Sequence, residues 1–260
     1  MLVLSLFPGV GLLDMAFELE GFTVVRGPDV LWGGDIRSFH PPAGKFDGVI
    51  GGPPCQAFSR LAHMVRHNGY EPKFGNLIPE FERVVAACLP TWFAMENVPD
   101  APVPAVDGYG VHSFKLNNRQ LGEEQNRVRR WSFGFKGERR VLMVETQALE
   151  CFHFQYAATG AGRVSTPVAI GGSGKQKKTL RNGRKVDFRD ALNQGTHRSA
   201  EGFAAVKRLQ GVDEAFDLPG FTVEAKVKAV SNGVPLPMGR AIAKAVMEAT
   251  KSFDERRVQE

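Results

Sequence analysis

One cysteine stands out by its surroundings. Cys55 follows the apolar run Asp47–Ile50 through Gly51-Gly52-Pro53-Pro54. Two prolines fix φ and remove two backbone donors, so the loop is stiff and extended. A thiol at the tip of such a loop, at the end of a buried strand, suits a positioned nucleophile. Nearby cations such as arginines would favour its thiolate. Cys88 lies within an apolar helical pattern and reads as core, and Cys151, beside Phe152, reads as structural. Three cysteines, odd in number, far apart and without CxxC spacing, argue against a disulfide framework and a structural zinc site.

Other chemistry-bearing residues are spread along the chain. Glu96-Asn97-Val98 comes directly after an apolar run. A carboxyl group there, partly desolvated, could keep its proton near neutral pH and donate it to a ring nitrogen; the plainer alternative is a capping or solvent-facing glutamate. Gln125, Arg127 and Arg129 alternate into another run, which puts them on one face. Two arginines at a strand start either bind an anion or pair with surface acids. Phe7-x-Gly9-x-Gly11 lies between a strand and a helix, where glycines let a ligand approach the backbone; an ordinary tight turn would look the same. Asp29, after the second run, is placed to bind ribose hydroxyls, and Asp35 could accept from an adenine amino group. Each aspartate alone could equally be a turn residue.

The elements that must hold these residues can be read from the pattern. Residues 2–6, Phe22–Arg26, Asp47–Ile50, Trp92–Met95, Val111–Leu116 and Trp131–Phe135 read as strands. Leu12–Leu19 and residues 78–88, with Pro79 in the first turn, read as helices, as do 201–210 and 239–250. Alternating strands and helices predict an α/β fold, an open parallel sheet covered on both faces. Ligands of such sheets bind at the carboxyl ends of the strands, where Phe7–Gly11, Asp29, Asp35, Cys55 and Glu96 all fall. The rhythm is lost over 145–205.

With 260 residues, 43% hydrophobic and 23% charged, the chain can build a core without staples. No apolar stretch approaches the ~18 residues of a membrane span, and the apolar N-terminus lacks a basic flank and a cleavage site. A cytosolic protein is expected. The net charge of +5 is unevenly spread. Residues 1–150 carry −2 and residues 201–260 carry none, whereas 151–200 carry nine Lys/Arg against two Asp/Glu, giving +7. The centre of that segment, GGSGKQKKTLRNGRK (171–185), suits a flexible basic loop lying on a polyanion, or else a solvated surface loop.

Taken in order, the pieces resemble a DNA (cytosine-5)-methyltransferase. The family's first motif resembles LFPGVG (6–11), and its Pro-Cys-Gln loop resembles GGPPCQAFS (51–59). Its Glu-Asn-Val motif stands at 96–98, and its Gln-x-Arg-x-Arg motif at Gln125, Arg127 and Arg129. GNLIPEFERVV (75–85) is similar to the fifth motif, and Arg-Leu-Gln-Gly stands at 208–211. Ser231-Asn232-Gly233-Val234-Pro235 is similar to the last. The resemblance spans nearly the whole chain except 145–205.

The resemblance implies a Rossmann-like S-adenosylmethionine-dependent methyltransferase fold with a small basic target-recognition insertion. Residues 1–144 would form the catalytic and cofactor-binding domain, 145–205 the recognition region, and 206–260 a segment returning to the catalytic domain. Cys55 would add to cytosine C6, Glu96 would hold or protonate N3, and Arg127 and Arg129 would hold the base carbonyl and flanking phosphate. Phe7, Gly9, Gly11, Asp29, Asp35, Ile36, Pro54, Leu77 and Asn232 match cofactor-holding positions. Gln56, Ser59, Lys175, Lys177, Lys178, Arg181, Arg184 and Lys185 would meet nucleic acid. The implied partners are S-adenosylmethionine and double-stranded DNA with its target base flipped out, without a metal or a membrane. A companion restriction enzyme is compatible with the resemblance, the expected state is a monomer, and the setting is a bacterial or phage-infected cell.

The chain departs from the family in three places. Asp29 and Asp35 are six residues apart, leaving no room for the usual intervening helix, so Trp32 is an alternative adenine-stacking residue. Ser231 precedes Asn232 and Gly233 follows it. The recognition region is short, which predicts a short DNA site. Methylation of an RNA such as tRNA and a catalytically silent DNA-binding relative are the competing readings. A nicotinamide-dependent oxidoreductase would need G-x-G-x-x-G, but position 14 is Asp14.

Overall fold

The apolar runs of the N-terminal half become the centre of a six-stranded sheet. In this computed structural model, residues 1–55, 58, 75–123, 125–147, 177–179, 185–187 and 200–257 are described. The strands are β1 (Leu2–Leu6), β2 (Thr23–Arg26), β3 (Gly48–Gly51), β4 (Trp92–Asn97), β5 (Tyr109–Asn117) and β6 (Val128–Lys136). Their order across the sheet is β2-β1-β3-β4-β6-β5. The first four are mutually parallel, but β6 runs antiparallel to both β4 and β5. The expected wholly parallel sheet is therefore corrected. Only ten residues separate β5 from β6, too few for the crossover that a parallel pair requires.

Burial on both faces explains the unbroken apolar character of the central strands. Val3, Ile50, Trp92 and Ala94 face one cluster, where α1 (Leu12–Leu19) brings Phe17 and the long C-terminal helix brings Met238, Ile242 and Val246. Leu4, Leu6, Val49, Phe93 and Met95 face the other, with Phe81, Val84, Val85 and Cys88 of α2 (Ile78–Cys88). A third cluster sets α3 (Ala200–Leu209) and α4 (Val223–Asn232) against Leu12. The C-terminal helix, α5, spans Leu236–Arg257.

The region between β2 and β3 holds no α-helix. Two 3-10 turns, Val30–Trp32 and Ile36–Ser38, replace it, capped by the carboxylates of Asp29 and Asp35. Strand β2 consequently forms the edge of the sheet. The basic stretch includes two short antiparallel strands, β7 (Lys177–Thr179) and β8 (Lys185–Asp187), so a wholly irregular loop there is corrected for those residues. The α4 helix was not anticipated: Ser231 and Asn232 belong to its last turn. Among the described residues, no helix is long and apolar enough to cross a membrane.

Candidate active site

Four parallel strands end at one edge of the sheet, and the chain segments leaving them carry the chemistry. Phe7, Gly9 and Gly11 follow β1 and all have positive φ, at 56°, 56° and 81°. For Phe7 this is a conformation that non-glycine residues rarely adopt, and such strain concentrates at functional sites. Gly11 needs its conformation and also its missing side chain: a Cβ there would lie 2.8 Å from Nη2 of Arg26. Arg26 is held in turn by the buried Asp14 at 2.9 Å. Burial pushes the Asp14 carboxyl above its ordinary range, partly countered by a hydrogen bond from Ser5 and by Arg26.

Asp29 and Trp32 fasten this turn. Oδ2 of Asp29 accepts from Gly9 N at 2.9 Å and Oδ1 accepts from Leu31 N at 2.7 Å. The indole Nε1 of Trp32 donates to the Gly9 carbonyl at 2.7 Å, while its ring meets Phe221 edge-on and remains 60% exposed. Asp29 therefore supports the glycine turn, though each of its oxygens can still accept another bond. Asp35 is exposed and caps its own turn. Ile36 is buried, and its carbonyl, with that of Phe39, is held by Arg83 of α2 at 2.8 and 3.1 Å. Leu77 is buried at the start of α2, Pro54 is half-buried, and Asn232 is exposed at the end of α4.

Cys55 and its neighbours form the second group. The Pro53 carbonyl accepts from Asn97 Nδ2 at 3.1 Å, and Asn97 Oδ1 accepts from Val98 N at 2.8 Å, so β4 anchors the cysteine loop. Across the β4–β6 pair Glu96 faces Trp131, which places Glu96 and Arg129 on the same face as diagonal neighbours. Nε of Arg129 lies 2.8 Å from Oε1 of Glu96, with their side chains only 17% and 12% exposed. The carboxylate packs against Gly52, where a Cβ would lie 3.3 Å from Oε2. Arg127 is buried and donates through Nη2 to the Gly233 carbonyl at 3.0 Å.

Opposing influences act on the Cys55 thiol. Burial pushes the Cys55 thiol up, and Glu96 pushes it further, while Arg129 and Arg127 pull it down without restoring it. The arginines act on Cys55 in the expected direction, but burial is the larger influence and favours the thiol, because desolvating a thiolate outweighs the pair of cations. Burial, and then Arg129, lower the pKa of the Arg127 guanidinium. The alternative of a solvent-facing Glu96 does not hold, given its ion pair with Arg129.

The sequence reading places Arg208-Leu209-Gln210-Gly211 among the motifs but gives no site role to Gln210 or to the Gly233 carbonyl. A glutamine directly after Leu209, at the end of a helix with apolar periodicity, is the signal that could have found them. Gln210 is fully buried. Lys177, Lys178 and Lys185 fall on β7 and β8. Gln56, Ser59, Lys175, Arg181, Arg184 and Cys151 lie outside the described residues.

With this geometry in place, the profile of the C-5 cytosine-specific DNA methylase family matches residues 32–102, a span that includes Cys55 and Glu96. Over that span the chain is similar to the family. It is 29% identical over 174 residues to the Type II methyltransferase M.FnuDI of Fusobacterium nucleatum, covering 56% of this chain and 50% of that protein. It is 24% identical over 260 residues to the Type II methyltransferase M.DdeI of Desulfomicrobium norvegicum, covering 81% and 62%. The chain thus spans about half to three-fifths of these relatives. The fold is similar to that of Spodoptera frugiperda DNMT2, with a TM-score of 0.57 over 95% of this chain and 99% of the other, at 13% identity. The methyltransferase fold expected from the sequence is therefore the fold observed.

Proposed function

We propose that this chain transfers a methyl group from S-adenosylmethionine to C5 of a flipped-out cytosine in a short duplex DNA site. The observation that carries this reading is the convergence of Cys55, Glu96, Arg127 and Arg129 beside the left-handed turn of residues 7–11. The Type II methyltransferases among its relatives support DNA as the substrate.

Cytosine C5 is a poor nucleophile. Addition of the Cys55 thiolate to C6 breaks the C5–C6 double bond and turns C5 into an enamine-like carbon. Glu96 protonates N3 as the bond forms, so that charge does not build on the ring. Arg129 and Arg127 hold the base carbonyl and flanking phosphate and favour the thiolate. The cofactor, when bound, supplies an electrophilic methyl group to C5. Loss of the C5 proton and departure of the Cys55 sulfur then restore the aromatic ring. Because the target atom is unreachable inside the helix, the base must leave the stack.

The residues after β1 and β2 fit the cofactor. The Gly9 position has open space where a side chain would stand, and the exposed Trp32 indole offers a stacking face beside it. Phe7, Gly9, Gly11, Trp32, Asp35, Ile36, Pro54, Leu77 and Asn232 would hold it, with Asp29 shaping the turn. Residues 145–205 would read the DNA, and Gln56, Ser59, Lys175, Lys177, Lys178, Arg181, Arg184 and Lys185 would contact it.

The test is transfer of a labelled methyl group to duplex DNA and to tRNA. Label in DNA that resists Cys55→Ser, or label in tRNA alone, would overturn the assignment of nucleophile or of substrate respectively.

A further inference from the structure

Arg127 does not reach its position unaided. Its Nη2 donates to the carbonyl of Gly233, which also accepts from Nε2 of Gln210 at 2.9 Å. The same Gln210 amide reaches the Val230 carbonyl at 2.7 Å, capping the last turn of α4. Its side-chain oxygen accepts from Gln125 Nε2 at 3.0 Å, and its backbone carbonyl accepts from Leu236 N at 2.8 Å at the start of α5. Gln125 and Gln210 are both fully buried. Gly233 also rests on α1, where a Cβ would lie 2.6 Å from Leu12 Cδ1.

We propose that Gln210 is a positioning residue for Arg127: it fixes the Gly233 carbonyl that orients the guanidinium toward Cys55, and it ties the turn bearing Asn232 to the cysteine pocket. The inference rests on the reading of Cys55 and Arg127 as site residues. Without the Gln210 amide the Val230 carbonyl keeps only Gly233 N, at 3.1 Å, and the Gly233 carbonyl keeps only Arg127, so the turn after α4 loses the bonds that tie it to Gln210 and is free to shift. The shift moves the acceptor of Arg127, whose charge is one of those acting on the thiol. Among the described residues, the charged groups facing Cys55 are Glu96 from β4 and Arg127 and Arg129 at the entry to β6.

The test is the pH profile of iodoacetamide alkylation at Cys55 in the full chain, read by peptide mass spectrometry so that Cys88 and Cys151 do not contribute. Gln210→Leu and the milder Gln210→Asn are compared with Val206→Ala, a core truncation in the same helix α3. Both Gln210 variants are expected to raise the inflection by about half a unit, slowing alkylation at neutral pH about threefold, while Val206→Ala leaves it in place. Folding is checked by circular dichroism, and if Gln210→Leu fails to fold, Gln210→Asn decides. A folded Gln210 variant with the wild-type profile, or an equal shift in Val206→Ala, overturns the proposal. Methyl transfer takes no part in this readout, so failure of the proposed activity would show separately.

Discussion

The guanidinium of Arg129 and the carboxylate of Glu96 form an ion pair, Nε to Oε1 at 2.8 Å, on the same face of the β4–β6 ladder and beside the Cys55 thiol. Each partner acts on Cys55 in the opposite sense, Glu96 raising its pKa and Arg129 lowering it. Burial is the larger influence on the sulfur, and the pair tunes its reactivity on top of that.

Glu96→Gln removes one of the two main causes that raise the thiol and leaves Arg129 without its anion. Alkylation of Cys55 should therefore become faster at neutral pH, because the inflection moves down and more thiolate is present. Methyl transfer should fall by about 10²–10⁴ through loss of the proton donor to N3. A rate–pH profile of alkylation beside a turnover assay checks both. Changes in the same direction would contradict the roles given to Glu96.

Gly11→Ala places a methyl group 2.8 Å from the Arg26 guanidinium at a φ of 81°. The backbone strain alone costs about 1–2 kcal/mol, and Arg26 must swing away from Asp14. Urea unfolding should show a lower midpoint, and S-adenosylmethionine affinity by calorimetry should fall. Wild-type values for both would mean that the turn tolerates a side chain.

Much of the site was legible because its residues sit in short segments with strong local physics. The two prolines before Cys55, the glycines at 9 and 11, and the alternation of Arg127 with Arg129 each specify a backbone shape. The strands were legible because both faces of the sheet are buried, which gives continuous apolar runs. The direction of β6 was less legible, since hydrophobic pattern does not record strand polarity. The raised pKa of Cys55 depends on burial and on Glu96, some forty residues away in sequence, and the Gln210–Gly233–Arg127 linkage spans more than a hundred residues. Neither leaves a local signature. Helix α4 went unseen because Glu224, Lys226 and Lys228 interrupt the few apolar positions, Val223, Val227 and Val230, that join the cluster with Leu12.

Trp32→Ala should weaken S-adenosylmethionine binding about tenfold, an aromatic face with a bond to the turn being lost together. Trp32→Phe keeps the face but loses the bond to the Gly9 carbonyl, so it should fall between. Calorimetric titration measures both, and an unchanged affinity in Trp32→Ala would remove Trp32 from the cofactor site.

If the basic stretch 175–185 lies on phosphates, DNA affinity should fall steeply with salt, and replacing Lys177, Lys178 and Arg181 by alanine should flatten the slope by up to about 3 in log–log terms. Fluorescence anisotropy over a range of salt concentrations provides the measurement. An unchanged slope would make the stretch a bystander.

The most direct test of the account is to incubate the chain with S-adenosylmethionine and duplex DNA carrying 5-fluorocytosine at its methylation site, then separate the products under denaturing conditions. Fluorine at C5 blocks the proton loss that frees the sulfur, so a DNA-linked band should persist, with the adduct mapped to Cys55 and absent from Cys55→Ser. Methylation of the ordinary site with no such adduct, or an adduct on another residue, would contradict it.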